Sequence, residues 1–309
     1  MKIVIQKKVQ ILMATYNGEK YLKEQINSIR NQTFQEWELL IRDDGSTDHT
    51  MDIIAYYLKL DSRIKLIEKQ GNIGAKGSFF QLLRRSTAPF FMFSDQDDVW
   101  KKDKIVKSIN LIKDFDDVPV LGFTGLCVVD VNLKKIRSSK RVKIKDITFE
   151  KLLLENQVTG ATIIGNKALR DKVMETENLN TSFISMHDWW ITLVASQFGV
   201  VKFLDEDTMM YRQHDANVLG ASVSRYSKLK KVNKICYFID NTKKDVEGTF
   251  IQAQYFWELY KDDIDLNTRK LFDIILKKKK INFGLKLKFL SKKRVHGVLQ
   301  NLFFIIKII

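Results

Sequence analysis

Residues 90–98 of this 309-residue chain read FFMFSDQDD, an unbroken apolar run followed by three aspartates within five positions. A short apolar run of this kind is typical of a strand that is buried on both faces, and Asp95, Asp97 and Asp98 begin where it ends. Carboxylates this close repel one another, and they persist most readily where they share a cation. Oxygen ligands at a strand end suit Mg²⁺ or Mn²⁺ bridged to a diphosphate, and an acidic turn that caps the next helix is the simpler alternative.

Three similar units precede this strand in the sequence. Apolar runs at residues 9–14, 37–41 and 64–67 each lead into a polar, glycine-containing segment, and apolar residues at helical spacing follow. This alternation predicts a parallel α/β sheet with right-handed crossovers, in which ligands bind beyond the carboxyl ends of the strands. Further strands are predicted at residues 121–130, 159–165, 200–204 and 208–211, and further helices at 167–174 and 187–198.

The polar segments at these strand ends suggest a slot for a nucleotide. Asp43 is a candidate to accept a hydrogen bond from the imide N–H of uracil or thymine, and an ordinary turn is an equal interpretation. Residues 15–18 would form the opposite wall, with Tyr16 near the base. In the segment 72–77, glycines permit close backbone approach and Lys76 is placed to neutralise a phosphate. Neither a Walker A loop nor a GxGxxG motif occurs.

Two blocks in the second half carry further candidate residues. Asp188 begins a predicted helix, where it is either a base that takes a proton from an acceptor hydroxyl or simply the helix cap. The tryptophans that follow it favour a sugar platform, although tryptophan is more often a core residue. His214 is a candidate third metal ligand or phosphate contact, with a purely structural histidine as the alternative.

Taken in order, these segments resemble an inverting glycosyltransferase of family 2 over roughly residues 9–220. The GT-A fold that this resemblance implies is α/β, with a Rossmann-like, mixed but mainly parallel sheet flanked by helices. The last two blocks are most similar to bacterial α-L-rhamnosyltransferases of cell-wall polysaccharides, streptococcal ones among them. The matching segments are Ala14–Gly18, Asp43–Asp48, Asn72–Gly74, Asp95–Trp100, Thr159–Ala161, His187–Trp190 and Tyr211–His214.

The resemblance implies dTDP-β-L-rhamnose as the donor, a lipid-linked saccharide as the acceptor, and a role for each matching residue. Asp188 would be the catalytic base, and Asp97 with His214 would hold Mg²⁺ or Mn²⁺. Many family members carry Glu where this chain has His187. The donor would lie against Thr15, Tyr16, Asn17, Glu19, Asp43, Asn72, Gly74, Lys76, Asp95 and Gln96, and the acceptor against Gly160, Trp189 and Trp190.

Positive charge is concentrated at the C-terminus. The chain has a net charge of +15, and residues 225–309 alone hold 20 basic against 8 acidic residues. Residues 274–309 contain ten basic residues and no acid, interleaved with apolar ones. Each basic residue near an anionic leaflet contributes about 1 kcal/mol, which predicts peripheral attachment to the inner face of the cell membrane. Packing on a second subunit, as in a homodimer, is the alternative. Nucleic acid is a weaker candidate, because the aromatic residues lie in apolar blocks.

The composition limits the remaining possibilities. A chain with 45% hydrophobic residues can bury a substantial core, so a disordered or fibrous protein is excluded. Two distant cysteines and no signal-peptide pattern suit a reducing, cytoplasmic location. We expect a catalytic domain at residues 1–219 and a mostly helical, basic extension at 220–309. The competing functions are a transferase with a UDP-hexose donor, a nucleotidyltransferase, and a binding protein that keeps the fold without catalysis.

Overall fold

The computed structural model describes residues 8–67, 71–138, 144, 147–176, 179–214 and 231–276. The predicted boundary near residue 219 and the basic segment 277–309 lie outside the described residues, so both stay predictions. Within the described part of the chain, no helix combines the length and the apolar composition needed to span a bilayer.

The chain forms two compact units, and the first contains the sheet. This unit comprises Met1–Lys145, Val158–Glu177 and Met186–His214. Its strands are β1 (Val9–Thr15), β2 (Trp37–Asp43), β3 (Ile64–Leu66), β4 (Phe90–Ser94), β5 (Val99–Trp100), β6 (Val120–Val129), β7 (Lys135–Ser138), β8 (Ile163–Asn166) and β9 (Val200–Arg212). Its helices are α1 (Leu22–Arg30), α2 (Thr50–Leu60), α3 (Gly74–Arg85), α4 (Lys104–Ile112), α6 (Lys167–Met174) and α7 (His187–Phe198).

The strands form one mixed sheet in the order β3-β2-β1-β4-β8-β6-β9-β5. The short strand β7 pairs with the C-terminal part of β6. The first four strands are parallel to one another, which confirms the predicted succession of strand and helix. Their carboxyl ends therefore meet at one edge of the sheet, where the polar segments lie. β8 lies between β4 and β6 and runs antiparallel to both, and β9 runs parallel to β6.

Two elements differ from the sequence predictions. The segment predicted as a strand from residue 159 begins instead with a 3₁₀ turn at Gly160–Thr162, and only then enters β8. The two predicted strands at 200–204 and 208–211 are one continuous strand, β9. Its register against β6 shifts near Gly125, and this bulge accommodates the acidic residues 205–207 without breaking the strand.

The centre of the sheet is buried on both faces. Phe90–Phe93 of β4 are each at most 1% exposed, as expected for a strand covered by helices on both sides. Gly165 of β8 lies directly opposite Phe91. A Cβ atom at this position would lie 2.3 Å from Cζ of the Phe91 ring, so the absence of a side chain allows the ring to fill this layer.

The second unit is helical and comprises Asp146–Gln157, Asn178–Ser185 and Asp215–Ile309. Its described helices are α5 (Phe149–Leu152), a 3₁₀ turn at Thr181–Phe183, α8 (Lys231–Tyr260) and α9 (Leu266–Ile275). Aromatic rings form its core, with Phe256 of α8 packing against Phe149 and Phe272 at centroid distances of 5.2 and 6.1 Å. The segment Asn178–Ser185 is also hydrogen-bonded to α8. The Asn180 N–H donates to the Tyr255 hydroxyl at 2.7 Å.

We predict that Gly165→Ala lowers the free energy of unfolding by about 1–3 kcal/mol, because the added methyl group must displace the Phe91 ring in a closely packed layer. Denaturant unfolding followed by tryptophan fluorescence measures this. Gly248→Ala is the control, since its Cβ would make an ordinary 3.5 Å contact with the Ser185 hydroxyl and alanine favours the helix. A Gly165→Ala protein as stable as the parent would contradict this account of the core.

Candidate active site

The carboxyl ends of β1 and β2 are joined by hydrogen bonds that form one wall of the candidate site. The Asp44 N–H donates to the Thr15 carbonyl at 2.8 Å. Asp43 is buried, and its carboxylate accepts hydrogen bonds from the Thr15 hydroxyl and from the N–H groups of Gly45 and Ser46. The Ser46 hydroxyl is a fourth donor to the same group. Asp43 therefore holds the turn that follows β2.

Asp44 connects this turn to the start of α3. Its carboxylate accepts the N–H groups of Ile73 and Gly74, both at 2.8 Å, and a charge-assisted hydrogen bond from Arg42 at 2.6 Å. Arg42 is fully buried and also donates to the Ser78 hydroxyl and the Gly71 carbonyl. This buried ion pair fixes the segment that carries the predicted donor-binding residues Asn72, Gly74 and Lys76.

The predicted donor-binding residues at the start of α3 differ in exposure. Asn72 and Gly74 are exposed and Lys76 is half-buried. Burial lowers the pKa of the Lys76 ammonium. Gly74 has a φ of 75°, a left-handed conformation that glycine adopts without strain. The segment therefore combines exposed backbone with a partly desolvated amine, a combination that suits a phosphate group.

The loop after β1 is clamped by Gln96. The Tyr16 N–H donates to Gln96 Oε1, and Gln96 Nε2 donates back to the Tyr16 carbonyl, both at 2.9 Å. The Asn17 side chain accepts the Thr47 N–H at 2.8 Å, and the Glu19 carboxylate accepts the His49 N–H at 2.9 Å. These predicted donor-binding residues thus bind neighbouring loops, and the Tyr16 side chain remains half exposed.

The acidic loop after β4 concentrates negative charge. Asp95 and Asp97 are half-buried and Asp98 is fully buried. Burial raises the pKa of Asp95 to about 7, and the charges of Asp97 and Asp188 add to this rise. Burial also raises the pKa of Asp98, with further contributions from the charges of Asp95 and Asp97. Asp188 is joined to this region through its neighbour His187, whose ring lies 4.9 Å from that of Phe93, two residues before Asp95.

Asp188 occupies the first turn of α7, where two N–H groups orient its carboxylate. Oδ2 accepts the Gly160 N–H at 3.0 Å and Oδ1 accepts the Trp189 N–H at 2.7 Å. Trp189 is half-buried, whereas Trp190 is fully buried and belongs to the core. Gly160, which was predicted to contact the acceptor, is also buried. In this structure its contact in the site is the hydrogen bond to Asp188.

The neighbouring His187 is buried among aromatic rings. Its ring stacks on Phe79 at a centroid distance of 4.1 Å and meets the edge of Phe93 at 4.9 Å. Neither ring nitrogen has a hydrogen-bond partner among the residues that the structure describes. Burial lowers the pKa of His187 to about 4, so the side chain is neutral at physiological pH. His187 is therefore an uncharged core residue directly beside Asp188.

Asp97 and His214 are the two residues that suit a divalent ion. Asp97 Oδ2 lies 2.8 Å from His214 Nε2. This contact is a hydrogen bond, and two adjacent ligands of an octahedral ion, at ~2.1 Å each, are likewise about 3 Å apart, so the spacing of the pair is compatible with shared ligation of Mg²⁺ or Mn²⁺. Within the described ranges, no cluster of three or more His, Cys, Asp or Glu residues is arranged to hold a metal. The remaining ligands would therefore be diphosphate oxygens and water, as is usual for Mg²⁺.

Two buried arginines complete the site, and neither was among the predicted site residues. Arg42 supports the α3 side, and Arg212 contacts the acidic loop through the Asp97 carbonyl at 2.9 Å. A charged residue within the apolar run of β2 is the sequence signal that marks Arg42, because such residues are rarely buried unless they are paired. The sequence signal for Arg212 is its place in the block Tyr211–His214, which resembles the family.

The sequence and the fold were compared with known proteins. A family model described as glycosyl transferase family 2 matches residues 10–176, more than half of the chain. The dTDP-rhamnosyl transferase RfbG of Shigella flexneri is 29% identical over 281 residues, which cover 82% of this chain and 96% of that protein.

Solved structures share the fold at low sequence identity. S. aureus TarS (residues 1–349) in complex with UDP-GlcNAc is 16% identical with a TM-score of 0.54, and covers 92% of this chain and 79% of its own. The mannosyltransferase PcManGT of Pyrobaculum calidifontis, in complex with GDP-Man and Mn²⁺, is 12% identical with a TM-score of 0.53, and covers 98% and 86%. With the family match, these findings confirm the predicted GT-A fold. The chain belongs to glycosyl transferase family 2 and is a glycosyltransferase.

Proposed function

We propose that the protein is an inverting, metal-dependent rhamnosyltransferase that moves L-rhamnose from dTDP-β-L-rhamnose to a lipid-linked saccharide in the synthesis of a surface polysaccharide. The observation that carries catalysis is the position of Asp188 next to His187, whose ring lies 4.9 Å from the ring of Phe93 in β4, two residues before Asp95. The similarity to a dTDP-rhamnosyl transferase over most of both chains supports the choice of donor.

In the proposed mechanism, Asp188 takes the proton of the acceptor hydroxyl as the new glycosidic bond forms. The Gly160 and Trp189 N–H groups hold its carboxylate in one orientation. A carboxylate positioned in this way acts as a general base without forming a covalent intermediate, and a single displacement inverts the anomeric centre. A divalent ion held by Asp97 and His214 would offset the negative charge that develops on the leaving diphosphate. Lys76 contributes a second positive charge on the α3 side of the mouth.

Hydrogen-bond capacity bears on how the slot recognises a pyrimidine. An ionised carboxylate accepts about four hydrogen bonds, and Asp43 already accepts four within its own turn. Asp44 Oδ2 accepts only the Gly74 N–H among the described residues. We predicted that Asp43 reads the base, and the count favours its neighbour Asp44 for the imide contact, with Asp43 holding the turn.

A UDP-hexose donor is the main alternative within the same chemistry. The TarS structure contains UDP-GlcNAc, and uracil and thymine present the same imide edge to a slot of this kind. A non-catalytic nucleotide-sugar-binding protein is less favoured, because the buried and oriented Asp188 serves no evident purpose in donor binding alone.

Attachment to the membrane completes the proposal. The ten basic residues of the segment 274–309, interleaved with apolar ones, would hold the enzyme at the inner face of the cell membrane, where a lipid-linked acceptor is available. Homodimer formation through the same segment is the alternative.

The first prediction is that dTDP-β-L-rhamnose gives the highest kcat/KM in a panel of dTDP-, UDP- and GDP-sugars, each tested with lipid-linked and free saccharide acceptors. A site that hydrogen-bonds the hydroxyls of its own sugar discriminates strongly against a sugar in which one is missing or misplaced, so we expect at least a tenfold preference. A preference for a UDP-hexose would support the alternative donor. Absence of turnover and of donor hydrolysis with every sugar would contradict the enzyme altogether.

The second prediction concerns Asp188→Asn, which removes the base and keeps the size of the side chain. Turnover should fall by about a hundredfold or more while donor affinity, measured by calorimetry, stays nearly unchanged. Asp171→Asn, at a half-exposed position on α6, is the matched control and should retain full turnover. Unchanged turnover in the Asp188→Asn protein would remove Asp188 from the mechanism.

The third prediction concerns the membrane. Replacing the seven basic residues Lys277–Lys280 and Lys292–Arg294 with glutamine should abolish co-sedimentation with phosphatidylglycerol vesicles at low salt. The parent protein should bind these vesicles and dissociate as salt screens the charges. Glutamine at Lys59, Lys65, Lys134 and Lys135 is the control and should leave binding intact. A parent protein that stays in the supernatant would contradict membrane attachment, and a dimeric parent in solution would then support the alternative.

A further inference from the structure

Arg212, the last residue of β9, makes an unusually complete set of contacts. Its side chain is 2% exposed. Nε donates to the Asp97 carbonyl at 2.9 Å, and Nη1 donates to the Val131 carbonyl at 2.6 Å. Nη2 pairs with the Glu24 carboxylate. The guanidinium also lies over the ring of Tyr21, 4.4 Å from its centroid.

These contacts join parts of the first unit that are far apart in sequence. Glu24 belongs to α1, Asp97 to the acidic loop, and Val131 to the turn after β6. The main chain contributes as well, because the Arg212 N–H donates to Asp98 Oδ1 at 3.0 Å. A planar guanidinium has fixed donor directions, so three acceptors placed around it have little freedom to move relative to one another.

The same residue lies next to both halves of the candidate metal pair. It binds the backbone of Asp97 directly, and His214 follows two residues later in the chain. Tyr21 packs against Arg212 and against His214, whose ring lies 5.0 Å from its own. The buried cation thus holds the backbone of Asp97 and the aromatic ring packs on His214, and the two side chains are hydrogen-bonded at 2.8 Å.

We propose that Arg212 is a positioning residue that keeps Asp97 and His214 paired before a divalent ion and the donor bind. This inference rests on the proposed metal-dependent function. The charge of Arg212 also offsets the crowded carboxylates, but a lysine would supply that charge equally. The three-way hydrogen bonding is specific to the guanidinium, so charge and geometry can be separated by one conservative substitution.

The test measures Mn²⁺ binding to the full chain by electron paramagnetic resonance of free Mn²⁺, with and without dTDP. We expect Arg212→Lys to weaken Mn²⁺ binding by about tenfold or more, because lysine keeps the positive charge but cannot make the three directed hydrogen bonds of the guanidinium. The KM for the donor should rise in parallel, and kcat should approach that of the parent at saturating Mn²⁺.

Glu24→Gln provides a second variant that is safe for folding, because the Glu24 side chain is 55% exposed. It loosens one arm of the network and should weaken Mn²⁺ binding about threefold. Arg170→Lys is the matched control. Arg170 is also buried and donates to the Ala88 carbonyl at 2.7 Å, but it makes no contact with the acidic loop among the described residues.

The outcomes separate the inference from the function on which it rests. A parent that binds Mn²⁺ together with Arg212→Lys and Glu24→Gln proteins of equal affinity would overturn the positioning role alone. Equal weakening in the Arg170→Lys control would also overturn it, since any buried arginine would then have the same effect. A parent that binds no Mn²⁺ even with dTDP would overturn the metal-dependent function itself. If Arg212→Lys fails to fold, the Glu24→Gln result decides.

Discussion

The repulsion between carboxylates at the mouth of the sheet is the constraint around which this site is built. Asp95, Asp97 and Asp98 lie within four residues of one another, and the charge of Asp188 reaches the same region. Buried charges are tolerated only when they are paired or hydrogen-bonded. Arg212 binds the inner side of the loop, which leaves Asp97 and His214 directed toward one another. The interior thus compensates part of the negative charge of the loop.

At the carboxyl end of β2, a buried arginine again compensates the charge of a buried aspartate. Arg42 is a buried cation whose partners, Asp44 and the backbone of Gly71, lie where α3 begins. Most polar side chains at this edge are therefore engaged in holding loops to each other. Such a site is preorganised, because its dipoles and charges are already oriented when a substrate arrives and need little rearrangement during the reaction. This arrangement also explains why Asn17 and Glu19, predicted to contact the donor, are found bonded to the turn beyond β2.

The sequence was most informative where structure is local and least informative where it depends on distant partners. The apolar runs predicted the four parallel strands, and the residues following them predicted which edge carries the site. The role of Arg212 was not predictable, because its partners lie 81 to 188 positions away in the chain. Trp190 was predicted to meet the acceptor, yet α7 is buried on most of its faces and this ring lies in the core. β9 appeared as two strands, because an acidic bulge interrupts an otherwise apolar pattern.

The residue before Asp188 follows from the same constraint. A glutamate at this position would place one more carboxylate directly beside Asp188. In this chain the position is His187, which is packed between Phe79 and Phe93 and whose pKa is lowered to about 4 by burial. A neutral imidazole adds no repulsion to the Asp188 carboxylate, and its packing on Phe79 and Phe93 fixes the first turn of α7. Because the imidazole is uncharged near neutral pH, His187 itself forms no ion pair with Asp188, whose carboxylate accepts the N–H groups of Gly160 and Trp189.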